Sequence, residues 1–168
     1  LYMAQAGATV IGVSDANGAI FNSEGLDIDG VARHFHATGS LMGFHGATDI
    51  TNDILLECEC DILIPAATQS QITSGNAGRV KAKLIAEAAN APTTPEADKI
   101  LNNKGTFIIP DILCNSGGVF VSYLEYTQET QREQMTLKQV EERLQSRMQE
   151  KFSGVHQHSK SNNTSIRQ

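Results

Sequence analysis

One twenty-residue stretch limits the fold more than any other: residues 106–125, TFIIPDILCNSGGVFVSYLE. Phe107, Ile108 and Ile109 form a short apolar run of the kind that is buried as a strand. Pro110 has no N–H to give a ladder and ends that strand. A polar turn follows over residues 111–115. Ser116 is then placed to cap, and Gly117-Gly118 lets the backbone approach a neighbour before a helix that carries Val119, Ser122 and Tyr123. An open α/β sheet sets up a ligand crevice in this way, outside the carboxyl ends of its strands. The same spacing also serves a helix packed on a sheet through its glycines, and pattern alone leaves both readings open.

The rest of the chain repeats that alternation. Residues 1–6 read as the last turns of a helix closed by Gly7. Residues 8–14 (ATVIGVS) are a continuous apolar run, a strand buried on both faces, which ends at Asp15. An acid at that point of a dinucleotide fold accepts hydrogen bonds from a ribose hydroxyl, and the glycine-rich phosphate loop belongs about 20 residues earlier. That loop and the first strand are therefore expected to lie ahead of residue 1. Asp15 equally opens the turn Asp15-Ala16-Asn17-Gly18, which its residues favour.

Residues 25–38 read as a helix opened by Asp27 and closed by Gly39, with Leu26, Val31 and Phe35 as its apolar positions. His34 and His36 stand two apart, cannot share a helix face, and read as surface histidines rather than a metal pair. Residues 41–44 are read as a short strand, and Thr51 caps a helix containing Ile54 and Leu55. Residues 60–65 (CDILIP) are another buried strand. The pair Cys58 and Cys60 finds no nearby partners to complete four metal ligands and reads as inert thiols. Ala66 and Ala67, followed by Thr68, make a small-residue loop suited to pass under a flat ligand. Thr73 starts a short helix through Val80.

Residues 83–88 (KLIAEA) form a further strand, which leaves Asn90 at its carboxyl edge. There its amide can bond a ligand hydroxyl or simply cap a turn. Thr94-Pro95-Glu96 is a strong helix start: Thr at the N-cap, Pro at the first helical position, an acid facing the dipole. Strand alternates with helix, so the class is α/β with a parallel sheet. The expected architecture is a Rossmann-like doubly wound sheet lacking its first strand and glycine-rich loop, followed by C-terminal helices.

The helix from Gly117 extends to about Gln131, and a second over residues 137–152 carries Leu137, Val140, Leu144, Met148 and Phe152 on one stripe. From His156 on the chain is polar and expected to be mobile, with His156 and His158 solvated. The organisation expected is a partial dinucleotide-binding domain over residues 1–134, an amphipathic helix over 135–155 and a polar tail over 156–168. A formal charge of −6 argues against nucleic acid or an anionic membrane as partner. Three cysteines without framework spacing point to free thiols in a reducing compartment, read as cytoplasmic with the mitochondrion as the alternative.

Four segments together resemble glutamate dehydrogenases: GVSDANGAIFNSEGLD at residues 12–27, CDILIPAA at 60–67, EAANAPTTPEAD at 87–98 and PDILCNSGGVFVSYLE at 110–125. The resemblance spans residues 1–152, and PTTPEAD separates it from the related leucine, phenylalanine and valine enzymes. It implies reversible oxidative deamination of L-glutamate to 2-oxoglutarate and ammonium, with NAD as cofactor, NADP as the alternative, and a homo-oligomer, usually a hexamer. By the same resemblance Asp15 faces the adenosine ribose, and Ala66 and Ala67 lie along the cofactor. Asn90 bonds the nicotinamide ribose region and Asn115 holds the carboxamide. Ser122 reaches the substrate's distal carboxylate with Val119 packed beside it, across one crevice from Asn115.

The sequence departs from the family's usual pattern at Leu124, Tyr126 and Gln128-Glu129, and at Cys114 and Ser116 beside Asn115. The substrate domain with its catalytic lysine and aspartate is expected outside this sequence. No lysine here takes that role, and the chain alone is expected to be inactive. The alternative is a non-catalytic nucleotide-binding or interaction module whose helix over 137–152 binds a partner.

Overall fold

The computed structural model describes residues 2–132 and 134–168 and divides the chain into two compact units. One comprises Leu1–Asp61 with Arg79–Ala82, the other Ile62–Gly78 with Lys83–Gln168. Leu1, the start of the expected first helix, and residue 133 lie outside the described residues.

The first unit runs α1 (Tyr2–Gln5), β1 (Gly12–Ser14), β2 (Ala19–Phe21), α2 (Ile28–Thr38), β3 (Thr48–Ile50) and α3 (Asn52–Leu56). Its sheet has the order β1-β2-β3 and is antiparallel throughout, where a parallel arrangement was expected. The Asp15-to-Gly18 turn sends the chain straight back, with the Asp15 N–H bonded to the Gly18 carbonyl at 2.9 Å. A hairpin needs only such a turn, whereas a parallel neighbour needs a long crossover. Of the apolar run over residues 8–14 only the last three are strand, and they lie at the sheet edge, so burial on both faces is not reached.

Residues 41–44 form a loop instead of a strand because side chains take the N–H groups a ladder would use. Asp15 Oδ2 accepts from the Leu41 N–H at 2.9 Å, and Asp49 accepts from that of Gly43 at 3.0 Å. α2 has its expected caps: Asp27 accepts from the Gly30 N–H, and Gly39 adopts φ 75° while its N–H closes on the Phe35 carbonyl. The helix starts at Ile28 rather than Gly25, whose φ of +107° is not helical. Ile20, Val31 and Leu41 form a buried cluster against which Val13, Leu26 and Phe44 pack; Phe35 faces outward. His34 is half-buried, not a surface histidine: its Nε2 pairs with the Met42 carbonyl at 3.0 Å and its ring meets Phe44 edge-on.

The second unit runs β4 (Ile62–Leu63), β5 (Leu84–Ala86), α4 (Pro95–Asn103), β6 (Phe107–Ile109), α5 (Asp111–Cys114), α6 (Gly117–Gln131) and α7 (Leu137–Asn162). Its sheet, order β4-β5-β6, is parallel, with Ile85 in register with Ile108, as the α/β class requires. β4 is an edge, which leaves Ile62 and Ile64 exposed. After Thr73 the chain makes turns rather than the expected helix. The Asn76 side chain bonds the Thr73 N–H and the Gln71 carbonyl, competing with helical pairing. α4 begins as its sequence dictates, with Thr94 accepting from the Ala97 N–H and Pro95 in the first turn.

Three features at the C-terminal end depart from expectation. Residues 111–114 are a helical turn, and Ser116 is itself helical, donating its hydroxyl to the Leu113 carbonyl at 2.9 Å instead of capping α6. Leu137 is exposed, while the half-buried stripe of α7 continues through Val140, Leu144, Met148 and Phe152 to His156. α7 itself extends to Asn162, into the stretch expected to be a mobile polar tail. A capping box of Thr136 and Gln139 starts it. The His156 ring sustains it, stacked on Phe152 and edge-on to Phe107 with centroids 5.5 Å away in each case. Among the described residues no helix is long and apolar enough to cross a membrane.

Candidate functional site

The parallel sheet delivers three chain exits at one edge. Pro65 follows β4, Glu87 follows β5 and Pro110 follows β6. The Pro65 carbonyl accepts from both Ala88 and Ala89, and the Glu87 N–H from the next loop reaches the Ile109 carbonyl. Each exit is thus bonded to its neighbour. Beyond them lies a cleft of about 850 Å³ lined by Asn90, Ala91, Asp111, Asn115, Val119 and Tyr123 among others, with Arg147, Met148 and Lys151 of α7 on another wall.

Asn90 and Asn115 stand on separate exits and meet there. Asn115 Nδ2 donates to Asn90 Oδ1 at 2.7 Å. No other hydrogen bond of either amide occurs among the described residues, so Asn115 keeps its carbonyl oxygen and Asn90 its amide protons for a ligand. An acceptor and a donor side by side fit a primary carboxamide, the head group a nicotinamide cofactor would bring.

The loop that holds Asn90 is strained and tied down. Ala91 adopts φ 45°, a left-handed conformation that costs a residue with a Cβ about 1–2 kcal/mol. Its N–H is held by Asp111 Oδ2 at 2.8 Å and its carbonyl by the Ser70 N–H at 2.9 Å. Such a conformation persists where its surroundings over-determine it.

Behind this loop lies a carboxylate that no water reaches. Glu87 is fully buried; its Oε2 accepts from the Asp111 N–H at 2.9 Å and its Oε1 from Arg167 at 2.6 Å. Arg167 also donates from Nε to Asp98 at 2.9 Å and lies 3.9 Å from Asp111. Burial works against the Arg167 charge, but the hydrogen bond and charge of Glu87, joined by those of Asp98, outweigh it and raise its pKa. Burial, then the charge of Glu87, pushes the Cys114 thiol above its ordinary range.

The other expected site residues lie as follows. Val119 lines the cleft and is exposed; Ser122, exposed on α6, does not line it, so Asn115 and Ser122 do not share this cavity. Ala66 and Ala67 are exposed beyond Pro65, and neither lines this cleft. Asp15 belongs to the first unit and commits both oxygens to backbone: Oδ1 to Asn17 and Gly18, Oδ2 to Leu41. These bonds realise its turn-forming role and leave one lone pair, on Oδ2, for a further donor. The Cys58 and Cys60 thiols are held above their ordinary pKa, chiefly by burial. Among the described residues no group of three His, Cys, Asp or Glu side chains could hold a metal ion.

Asp111, Glu87 and Arg167 escaped the sequence reading. Glu87 could have been found: a lone acid inside KLIAEAANA, at the end of a buried strand, demands a partner. Its partner lies 80 positions further on, and nothing local to Arg167 announces it.

The family profile described as Glutamate/Leucine/Phenylalanine/Valine dehydrogenase matches residues 1–168. The glutamate dehydrogenase of Thermotoga maritima is 45% identical over 149 residues, which make up 89% of this chain and 36% of that protein. The catabolic NAD-specific glutamate dehydrogenase RocG of Bacillus subtilis is 46% identical over 157 residues, 93% of this chain and 37% of that protein. The hetero-hexameric glutamate dehydrogenase of Thermus thermophilus, in its Leu-bound form, matches at a TM-score of 0.89 with 28% identity, over 99% of this chain and 39% of that one. The enzyme of Peptoniphilus asaccharolyticus matches at 0.78 with 32% identity, over 99% of this chain and 38% of its own. This chain spans little more than a third of the length of these relatives. Matched from end to end by the family profile, the chain belongs to the Glutamate/Leucine/Phenylalanine/Valine dehydrogenase family.

Proposed function

We propose that this chain is the cofactor-binding part of a glutamate dehydrogenase, which interconverts L-glutamate with 2-oxoglutarate and ammonium at the expense of NAD(P). The observation that carries this reading is the Asn115–Asn90 amide pair at the carboxyl edge of the parallel sheet, in a chain 46% identical to an NAD-specific glutamate dehydrogenase. Bound there, a nicotinamide cofactor would supply the hydride acceptor. The chain's own part is orientation. The Asn115 carbonyl oxygen as acceptor and the Asn90 amide as donor, aligned on each other, fix the carboxamide and so decide which ring face meets substrate. Within the cleft Asn90 also serves the neighbouring ribose and Val119 meets the substrate side chain; Ala66, Ala67 and Ser122, which lie outside it, are assigned to the cofactor's flank and to the substrate's distal carboxylate by likeness to the family only.

Asp15 is assigned to the adenosine ribose, where its charge repels a 2′-phosphate; the complete enzyme then prefers NAD to NADP. It is proposed to act as a homo-oligomer, and its free thiols suit a reducing compartment such as the cytoplasm. Against the alternative of a partner-binding helix stands the packing of the α7 stripe on its own chain, with His156 edge-on to Phe107, Phe152 stacked on His156 and Leu144 beside Gly117.

Titration of the 168-residue chain with NADH and with ADP-ribose tests the assignment. Asn115→Ala is expected to weaken NADH binding about tenfold, the worth of one or two neutral hydrogen bonds, and to leave ADP-ribose unchanged. Equal losses for both ligands would remove the carboxamide role. The chain alone, given glutamate and NAD, should produce no NADH absorbance.

A further inference from the structure

We infer that Arg167 is a positioning residue for the amide pair: by bridging Glu87, Asp98 and Asp111 it fixes the two chain exits on which Asn90 and Asn115 stand. The path is continuous. α7 is capped by Asn163, whose left-handed φ of 51° turns the chain back, and Ser159 holds that turn by donating its hydroxyl to the Thr164 carbonyl at 2.6 Å. Arg167 is thereby carried to the buried Glu87. Glu87 in turn holds the Asp111 N–H, and the Asp111 carboxylate holds the N–H of Ala91, the strained neighbour of Asn90. Asp111 also opens α5, which ends beside Asn115.

The charges make the arginine necessary. Three carboxylates converge on one guanidinium, whose planar fork can bond two of them at once. Without it Glu87 must take up a proton or repel two more carboxylates, and either response weakens its hold on the Asp111 N–H and lets the loops bearing Asp111 and Ala91 separate. That movement parts Asn115 from Asn90. A lysine would keep the charge but offer only a point contact.

This deepens the cofactor reading, on which its consequence for binding rests, but the positioning itself can be observed without ligand. The probes are the Asn115 side-chain amide resonance of the 15N-labelled chain, assigned by its loss in Asn115→Asp, and hydrogen exchange at Ala91 and Asp111. Arg167→Met is expected to shift or broaden the Asn115 resonance and to weaken NADH binding several-fold. Arg167→Lys should shift it less, with exchange at Ala91 and Asp111 about tenfold faster and α2 unaffected. A simple staple at the chain end would loosen α7 and leave the Asn115 resonance where it was. A folded Arg167→Met with that resonance in place overturns the inference. If Arg167→Met does not fold, Arg167→Lys decides alone: no change in resonance or in exchange overturns it. Should NADH fail to bind the unaltered chain while these shifts occur, the cofactor reading falls and the positioning role stands.

Discussion

Asn115 donates its side-chain N–H to Asn90 Oδ1 across 2.7 Å, and so joins the exits of two adjacent parallel strands by one amide–amide bond. Each amide orients the other. The pair therefore offers one acceptor and one donor in fixed relation, where two separate asparagines would each have to be ordered by the ligand.

Their substitutions should not be additive. Asn90→Ala removes the acceptor that aligns Asn115, so it should weaken NADH binding by about half the free energy lost in Asn115→Ala, itself about 1.4 kcal/mol. The double variant should bind more weakly than Asn115→Ala alone but lose less than the sum of the two single losses, because Asn90 acts partly through Asn115 and partly through its own bonds to the ligand. Fluorescence titration of the four chains measures this directly. Simple addition of the two losses would mean that the amides act on separate parts of the ligand.

Asp15 predicts how stability responds to acid. The N–H of Leu41 is the main influence holding its carboxyl below the ordinary value; burial opposes it, and the N–H groups of Asn17 and Gly18 add to it. A carboxylate depressed in the folded state stabilises fully above its unfolded pKa of about 3.9, and that contribution is lost as pH falls through the folded value. Urea midpoints should therefore fall more steeply below pH ~4 for the natural chain than for Asp15→Asn. The variant keeps one acceptor oxygen and must present its NH₂ group either to the Leu41 N–H or to those of Asn17 and Gly18, so it should be less stable at neutral pH. Parallel curves would show that the turn draws no stability from the charge.

What the sequence disclosed was local in cause. Asp27, Thr51 and Thr94 cap helices because a short side chain reaches an N–H three residues on, and the residues themselves announce it. The strands at Ile85 and Ile108 were legible as apolar runs because parallel neighbours bury them. The misreadings were distant in cause. Residues 41–44 lost their strand character to Asp15 and Asp49, and the helix through His156 is held by a ring contributed from β6. Asn90 and Asn115 were each legible as candidate site residues, but their bond, and the Arg167 network behind it, join positions 25 and 80 residues apart. No window along the chain contains both ends.

Thr94 offers a test of the local reading. Its hydroxyl is placed 3.3 Å from the Ala97 N–H, with Pro95 fixing the first helical φ. Thr94→Ala should destabilise the chain by about 1 kcal/mol, and Thr94→Ser by a few tenths at most. Chemical denaturation with an unchanged m-value checks both. Equal losses for Ala and Ser would point to the methyl group, since Ser keeps the cap.

Gly12 tests how closely α3 packs on the hairpin. Its φ is not in the left-handed region, so conformational freedom is not the reason for glycine here. Space is the reason: an added Cβ would stand directly against Leu55 Cδ1, with the Ile20 carbonyl at 3.4 Å on the other side. Gly12→Ala should therefore cost about 1–3 kcal/mol, the usual range for a side chain forced into a filled site. If Leu55 is what blocks it, Leu55→Ala should absorb the new methyl, and the double variant should be more stable than the sum of the two single losses by about 1 kcal/mol. Strict additivity would place the obstruction in the backbone of β2, which no side-chain truncation can relieve.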